Sequence, residues 1–406
     1  MTDPTNDSTA KTNTETNAIY KEAVSEETAS EETASEETAS EEAASAHEDR
    51  DAAMMRRCCE LAAQAAGQTA PNPMVGSVIV QGGEVVGEGY HPKAGKPHAE
   101  VFALREAGEK AKGATLYVNL EPCNHTGRTP PCSEAVIRSG VRRVVIGMSD
   151  PNPKAAGGIE KLRAAGIEVV VGVEGDRCRQ LNEAFIYRTT HRKPFGILKY
   201  AMTLDGKIAT TTGHSAWVSG PQSRQQVHQL RSRCDAVIVG GNTVRKDNPN
   251  LTNHGQGTHN PLRVVMSRQL NLPTVANLWK TAQTPTLVVT QLDADRAVKR
   301  ALEQQNVEVI ALASLTPETV MEVLYERGCM SVLWECGGTL AAEAIASGTV
   351  QKVWAFIAPK LIGGVDAPSP LGDLGLVEMT QAKHLTQITL ETIGSDILVK
   401  GYLRSR

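Results

Sequence analysis

The chain has 406 residues, enough for two globular domains at roughly 150 residues each. Its net charge of −4 conceals a division: residues 1–50 carry 14 acidic and 3 basic side chains, and the rest of the chain carries 39 basic against 32 acidic. A body so mildly basic suits phosphorylated small molecules and provides no extended footprint for nucleic acid.

No apolar run reaches the ~18 residues of a membrane span. The start, Met1-Thr2-Asp3-Pro4, lacks the basic segment and apolar core of a secretory signal. Eight cysteines in a chain of this length are too few for a disulfide scaffold and fit a reducing, cytoplasmic compartment. The expected protein is soluble, with no membrane and no nucleic-acid partner; a homo-oligomer is compatible with it.

In chain order, residues 25–45 repeat Ser-Glu-Glu-Thr-Ala with period five, which matches neither a helix nor a solenoid unit. With almost nothing apolar to bury, residues 1–50 are expected to form a disordered acidic tail. Folded sequence is expected from Asp51, opening with a helix through Met54, Met55, Cys58, Leu61, Ala62 and Ala65 that Gly67 stops. Strands follow at Met74–Val80 and Glu84–Tyr90, then a helix at His98–Lys110 and a strand at Ala114–Leu120. A helix at Cys132–Ser139 and a strand at Arg143–Met148 come next, then helix Ile159–Ala165, strand Ile167–Val171 and helix Cys178–Thr190. A hairpin followed by alternating helices and strands predicts an α/β sandwich around a mixed sheet.

His191-Arg192-Lys193-Pro194 is a polar break, dividing a domain over 51–192 from one over 193–406. The second series has strands at Gly196–Met202, Ala236–Gly240, Leu262–Met266, Thr286–Thr290 and Val307–Ala311, then at Ser331–Glu335, Lys352–Ala358 and Ile397–Tyr402. Helices are expected at Pro221–Arg233, Pro317–Arg327 and Leu340–Ser347, which makes a second, doubly wound α/β sheet. No repeat relates the halves, so two different domains are fused.

The chemistry concentrates in His98-Ala99-Glu100, Pro122-Cys123 and Cys132. One imidazole and two thiolates make a zinc site with its fourth position free, the catalytic arrangement. His98 and Cys132 each open a predicted helix, whose N–H groups favour a thiolate. Glu100 can carry a proton from water to a leaving amine, and this order of residues marks nucleobase deaminases. The eight-residue insert 124–131 between the cysteines is polar and carries Arg128, which suggests contact with an anionic, phosphorylated substrate. His125, inside it, is an alternative fourth ligand that would close the site to water.

These motifs carry a resemblance. PCNHTGRTPPC at 122–132, with PNPMVGSVI at 71–79 and SDPNP at 149–153, resembles the bifunctional riboflavin-biosynthesis deaminase/reductases, and the likeness runs from about residue 51 to the C-terminus. It implies a cytidine-deaminase-like α/β/α sandwich fused to a dihydrofolate-reductase-like domain. It also implies one Zn2+ on His98, Cys123 and Cys132, with Glu100 as proton donor. The implied substrate is 2,5-diamino-6-(5-phosphoribosylamino)pyrimidin-4(3H)-one, first deaminated by hydrolysis, then reduced by NADPH at the ribosyl group to give the ribitylamino uracil. Asn72, Asp150 and Asn152 match positions suited to holding the pyrimidine, although as turn and cap residues beside prolines they have a structural use too.

Residues 199–207, 215–217, 241–249 and 335–340 resemble the reductase domain of the same family, and Lys199 and Asp205 are both present. The resemblance implies NADP contacts at Ala201, Trp217, Thr243, Asp247, Ser267, Gly337, Gly338, Thr339, Leu340, Ala341, Ala342 and Glu343. It implies substrate contacts at Ser215, Arg231, Leu251 and Glu335. Independently, Gly337-Gly338 at a strand end before a helix lets a phosphate approach backbone N–H groups, though a plain turn reads the same way. Arg231 is the natural phosphate partner, or else an exposed charge on a helix. His254 stands where the family usually has a second arginine and would give a weaker, pH-dependent contact. Cys58, Cys59, Cys178, Cys234, Cys329 and Cys336 have no partners at metal or redox spacing and read as packing residues. Other readings of the chain are a second domain that only binds nucleotide, and a zinc-stabilised RNA-binding protein; Glu100 argues against the latter.

Overall fold

A computed structural model of the chain describes Met1, Ser45, residues 47–126 and residues 130–404. Residues 25–44 of the acidic repeat and Arg128 lie outside the described residues.

The first helix, α1 (47–63), begins upstream of Asp51. Asp51 is its anchor: the buried carboxylate accepts the Tyr117 hydroxyl at 2.8 Å and both terminal nitrogens of Arg143 at 2.9 and 2.7 Å. Met55, Cys58, Leu61 and Ala62 face inward, as their spacing requires. Five strands form one mixed sheet: β1 (Gly76–Gln81), β2 (Glu84–Tyr90), β3 (Thr115–Val118), β4 (Arg143–Ile146) and β5 (Glu168–Val171), in the order β2-β1-β3-β4-β5. β1 runs antiparallel to both neighbours, and β3, β4 and β5 are parallel.

Two glycines set the position of the next helix. α2 (Ala99–Ala107) lies so close over β2 that a Cβ on Gly87 would sit 2.3 Å from the Ala103 carbonyl, and one on Gly89 2.6 Å from the Ala99 carbonyl. That close approach carries the start of α2 to the sheet's end, where α3 (Cys132–Arg138) also begins. α4 (Gly158–Ala164) packs on the same layer. The single helix expected over Cys178–Thr190 is two, α5 (Gly175–Leu181) and α6 (Glu183–His191). The break is at Asn182, whose amide accepts the Met74 N–H at 2.8 Å and donates to the Met74 carbonyl at 2.9 Å. A long-range bond overrides local helical periodicity there.

The second domain is a nine-stranded sheet. Its strands are β6 (Phe195–Thr203), β7 (Ala236–Gly240), β8 (Leu262–Met266), β9 (Thr286–Gln291), β10 (Glu308–Leu312), β11 (Ser331–Trp334), β12 (Lys352–Ala358), β13 (Leu385–Ile393) and β14 (Asp396–Leu403). The order is β10-β9-β8-β7-β11-β6-β12-β14-β13; the first seven are parallel, and β14 and β13 close the edge antiparallel. Central strands such as β7 and β11 are continuous buried apolar runs, the mark of parallel strands covered on both faces. Helices α7 (Pro221–Arg233), α8 (Gly241–Asp247), α9 (Arg296–Glu303), α10 (Pro317–Glu326) and α11 (Gly338–Ala346) cover them.

Three of these elements escape the sequence pattern for physical reasons. α8 buries only Val244 and α9 only Leu302, so neither shows an apolar period; α9 is started instead by Asp295, which accepts from Ala297 and Val298 N–H groups. β13 is exposed along nearly its whole length and shows no alternation. One apolar cluster crosses between domains, uniting Met55, Tyr117 and Phe185 with Met330 just before β11. Among the described residues no helix is long and apolar enough to cross a membrane.

Candidate functional site

At the end of the first sheet, three ligand atoms lie within 4.8 Å of one another: one from His98, and the sulfurs of Cys123 and Cys132. His98 Nδ1 is 3.2 Å from Cys132 Sγ and 3.5 Å from Cys123 Sγ. The three come from the cap of α2, the loop after β3 and the first residue of α3, so the sheet's end holds them together. The Cys132 backbone N–H donates to Cys123 Sγ at 3.4 Å. The neighbouring Cys132 thiol, with the His98 ring and that N–H, draws the Cys123 thiol down despite its burial, while Cys132 is pushed up. A thiol lowered in this way suits a metal ligand, which binds as thiolate.

Glu100 is 3% exposed, and its Oε2 is a buried oxygen without a hydrogen-bond partner among the described residues. An orphaned carboxylate oxygen beside two thiols and an imidazole fits a site that receives a cation and a polar reactant. Burial pushes the Glu100 carboxyl above its ordinary range.

The adjoining pocket, ≈ 340 Å³, is lined by Asn72, Asp150, Asn152, His91, Glu121 and Phe185 among others. Asn72 Nδ2 is 3.1 Å from His91 Nε2, and His91 Nδ1 meets the Pro97 carbonyl at 3.0 Å. Asp150 and Asn152 also make the turn bonds expected of them, accepting from the Asn152 and Lys154 N–H groups. Burial, with Glu121 adding to it, raises the Asp150 carboxyl to about 6. Glu121 itself accepts from the N–H groups of Asp150, Gly157 and Ile159, tying this loop to the segment after β3 that carries Cys123. His125 lines the pocket but stands outside the cluster of ligand atoms.

In the second domain a cleft opens at the carboxyl ends of β6, β7, β8 and β11, where a doubly wound sheet binds ligands. One part, ≈ 350 Å³, is lined by Lys199, Ala201, Ser215, Trp217, Thr243 and Asp247, with Arg231, Glu335 and His228 on the other side. Arg231 Nε and Nη2 hold Glu335 at 2.5 and 3.0 Å, and Nη1 holds the Thr252 carbonyl at 3.0 Å. Lys199 Nζ is 3.9 Å from Glu335, and burial lowers its pKa. The adjoining part is lined by Ser267, Gly337, Gly338, Thr339, Leu340 and Glu343, with Arg245, Lys246 and Arg268 alongside. The start of α11 faces it, so backbone N–H groups are available to a phosphate.

Four positions of the expected contact set lie elsewhere. Ala341 and Ala342 are buried on the core side of α11. Leu251 is buried in the apolar core with φ 53°, which leaves any contact to its main chain. His254 stacks on His228, ring centroids 4.3 Å apart, rather than lining the cleft itself.

Comparison with known proteins bears on both halves. Residues 48–148 match the family pattern "Cytidine and deoxycytidylate deaminase zinc-binding region", and residues 194–399 match "RibD C-terminal domain". The riboflavin biosynthesis protein RibD of Synechocystis sp. is 63% identical over 354 residues, 87% of this chain and 96% of that one. The chain belongs to the RibD family. A solved diaminohydroxyphosphoribosylaminopyrimidine deaminase/5-amino-6-(5-phosphoribosylamino)uracil reductase from Thermotoga maritima superposes with a TM-score of 0.79 at 36% identity, covering 88% of this chain and all of that one. Acinetobacter baumannii RibD has the same TM-score at 35% identity and the same coverage. As a RibD-family chain this is a bifunctional enzyme of riboflavin biosynthesis, a zinc-dependent deaminase joined to an NADPH-dependent reductase.

Several pocket residues of this RibD chain carry little signal in the sequence. His228 is three residues before Arg231 on α7, and that spacing on one helix face was available to find it. His91 and Glu121 have no such pattern. Cys59 and Cys178, expected only to fill space, meet with sulfurs 3.6 Å apart across 119 residues.

Proposed function

We propose that the chain deaminates 2,5-diamino-6-(5-phosphoribosylamino)pyrimidin-4(3H)-one in the first pocket and reduces the resulting ribosylamino uracil in the second. The observation that carries this reading is the buried Glu100 oxygen, unpartnered among the described residues, beside the His98, Cys123 and Cys132 cluster. Those three residues would hold zinc, which when bound makes water nucleophilic at neutral pH. Glu100 takes the proton from the attacking water and returns one to the departing amino group, so ammonia leaves uncharged. Asn72, His91, Asp150 and Asn152 line the space beside it and present the polar atoms that fix the ring's orientation. Arg128, in the insert, is assigned to the substrate phosphate.

In the second pocket, NADPH supplies the reducing equivalent when bound. The bond between the anomeric ribosyl carbon and the ring oxygen breaks, the carbon gains a hydride and the oxygen a proton, and Lys199, buried among Glu335 and Arg231, is the donor for that proton. Ala201, Trp217, Thr243, Asp247 and Ser267 line the cleft with residues 337–340 and Glu343, which supports their assignment to the cofactor. Ser215, Arg231 and Glu335 are assigned to the substrate. We also infer that the enzyme is cytoplasmic, in keeping with eight free cysteines, and that it is a homo-oligomer. The open edge of β13 presents Leu390, 70% exposed, and Ile388, 56% exposed, a face that a second copy would cover.

The test is incubation of the zinc-loaded chain with the diaminopyrimidinone phosphate. Ammonia should appear without NADPH, and a product heavier by two hydrogens only with it. Release of no ammonia, or reduction without prior deamination, would overturn the reading.

A further inference from the structure

Helix α6 touches both halves of the molecule. On one side Phe185 lines the deaminase pocket beside Asn72 and His91. Asn182, immediately before the helix, holds both backbone groups of Met74. Asn119 completes the arrangement, donating to the Met74 carbonyl at 3.0 Å and accepting the Gly76 N–H at 2.8 Å. The segment that carries Asn72 into β1 is thus fastened to the start of α6.

On its other side α6 is fastened to the reductase sheet. The Glu183 carboxylate accepts Lys352 Nζ at 2.9 and 3.1 Å and the Tyr402 hydroxyl. Lys352 Nζ also donates to the Tyr402 oxygen at 2.9 Å. One turn later, the Tyr187 hydroxyl accepts from Gln351 at 2.9 Å, and Arg188 donates to the Tyr325 carbonyl at 3.1 Å. Lys352 is only 9% exposed, so its charge depends on Glu183 for compensation. Met330 of the same domain packs in the apolar cluster that contains Phe185.

These contacts stand at the start of the strand and not in the cleft. Lys352 starts β12 and pairs with Ile197, whereas the cleft begins two residues further along, where Trp354 pairs with Lys199, about 7 Å on at roughly 3.3 Å per residue. Glu183, Lys352 and Tyr402 are not among the residues that line the cleft.

We propose that Phe185 is the apolar wall that shapes the deaminase pocket for its flat ring, and that Glu183, Lys352 and Tyr402 are its positioning residues. The reductase sheet thereby holds the deaminase pocket in its working form. A planar heterocycle gains from an aromatic or apolar face against it, and that gain depends on the wall being held in place. The proposal rests on the first pocket being the pyrimidine site, so turnover by the unaltered chain is measured first; its absence sinks that reading, and its presence makes the variants decisive.

The experiment uses the full, zinc-loaded chain and follows KM and kcat of both reactions separately. Phe185→Ala should raise the deaminase KM about tenfold with kcat changed little, the scale of a lost aromatic contact. Lys352→Met should raise the deaminase KM severalfold and leave reduction of pre-deaminated substrate unchanged, and Lys352→Arg should restore it. Tyr402→Phe removes one hydroxyl, preserves the packing and should give a smaller rise of the same kind. A purely structural clamp would lower the melting temperature while the deaminase KM of the folded enzyme stayed within twofold of the unaltered value in Phe185→Ala, Lys352→Met and Tyr402→Phe. That result, or an equal loss of both activities, overturns the proposal.

Discussion

Arg231 and Glu335 form a two-pronged ion pair in the reductase cleft, with Nε–Oε1 and Nη2–Oε2 distances of 2.5 and 3.0 Å. Both side chains are about nine-tenths buried, at 11% and 8% exposure. Burial works against the Glu335 charge, but the Arg231 charge and hydrogen bonds outweigh it and hold the carboxyl below its usual range. Arg231 is therefore not an idle phosphate ligand: its fork is already engaged, and a substrate phosphate meets only its remaining N–H groups.

Removing the carboxylate charge should expose that dependence. Glu335→Gln leaves Arg231 and Lys199 buried without a counter-charge, which costs about 3–5 kcal/mol when a buried pair is broken. Urea unfolding should report a loss of that order, and reduction should fail. Deamination should persist below the new melting temperature. An unchanged stability would mean that solvent reaches the pair.

Glu100→Gln should retain zinc and lose deamination by ~10²-fold or more, the scale of a general acid/base. Reduction of pre-deaminated substrate should survive. Metal analysis and the two assays together check this; loss of zinc, or of both activities, would show that Glu100 acts as a ligand or a structural strut.

The paired imidazoles predict a pH dependence. Burial, then Arg231 and the His254 ring, push His228 down to about 4, with Lys199 adding and Glu335 opposing. Burial and Arg231 also lower His254. The unfolded chain, near 6.5, binds protons before the folded one does, so this contribution to stability is complete above 6.5 and is lost as pH falls towards 4. His228→Gln should lose less stability than the unaltered chain over that interval. For the same reason His254 is neutral at pH 7, and His254→Arg should lower the reductase KM there if the substrate phosphate reaches this loop.

Deleting residues 1–44 should leave both activities and the melting temperature unchanged, since the segment is acidic and nearly devoid of apolar side chains. The cut stops short of Asp51, whose bonds to Tyr117 and Arg143 anchor α1. A fall in melting temperature would show that the repeat packs on the body.

Sequence alone pointed to the two-sheet α/β plan and to His98, Cys123 and Cys132 as the cluster that could hold a metal. His98, Cys123 and Cys132 sit at element ends that hydrophobic period and turn residues mark locally, so their convergence followed once the strands were laid side by side. It also marked the turn that opens α11, because a glycine pair between strand and helix is a local signal, one that a plain turn and a phosphate-approach loop share. Tertiary structure alone decided the rest. The stacking of His228 on His254, the meeting of Cys59 with Cys178, and the fastening of α6 by Lys352 and Tyr402 join residues far apart in the chain. Asn182 shows the physical reason most plainly: its neighbours read as continuous helix, and only a bond to Met74, 108 residues away, breaks it. Such contacts obey distance in the folded chain and leave no period in the sequence.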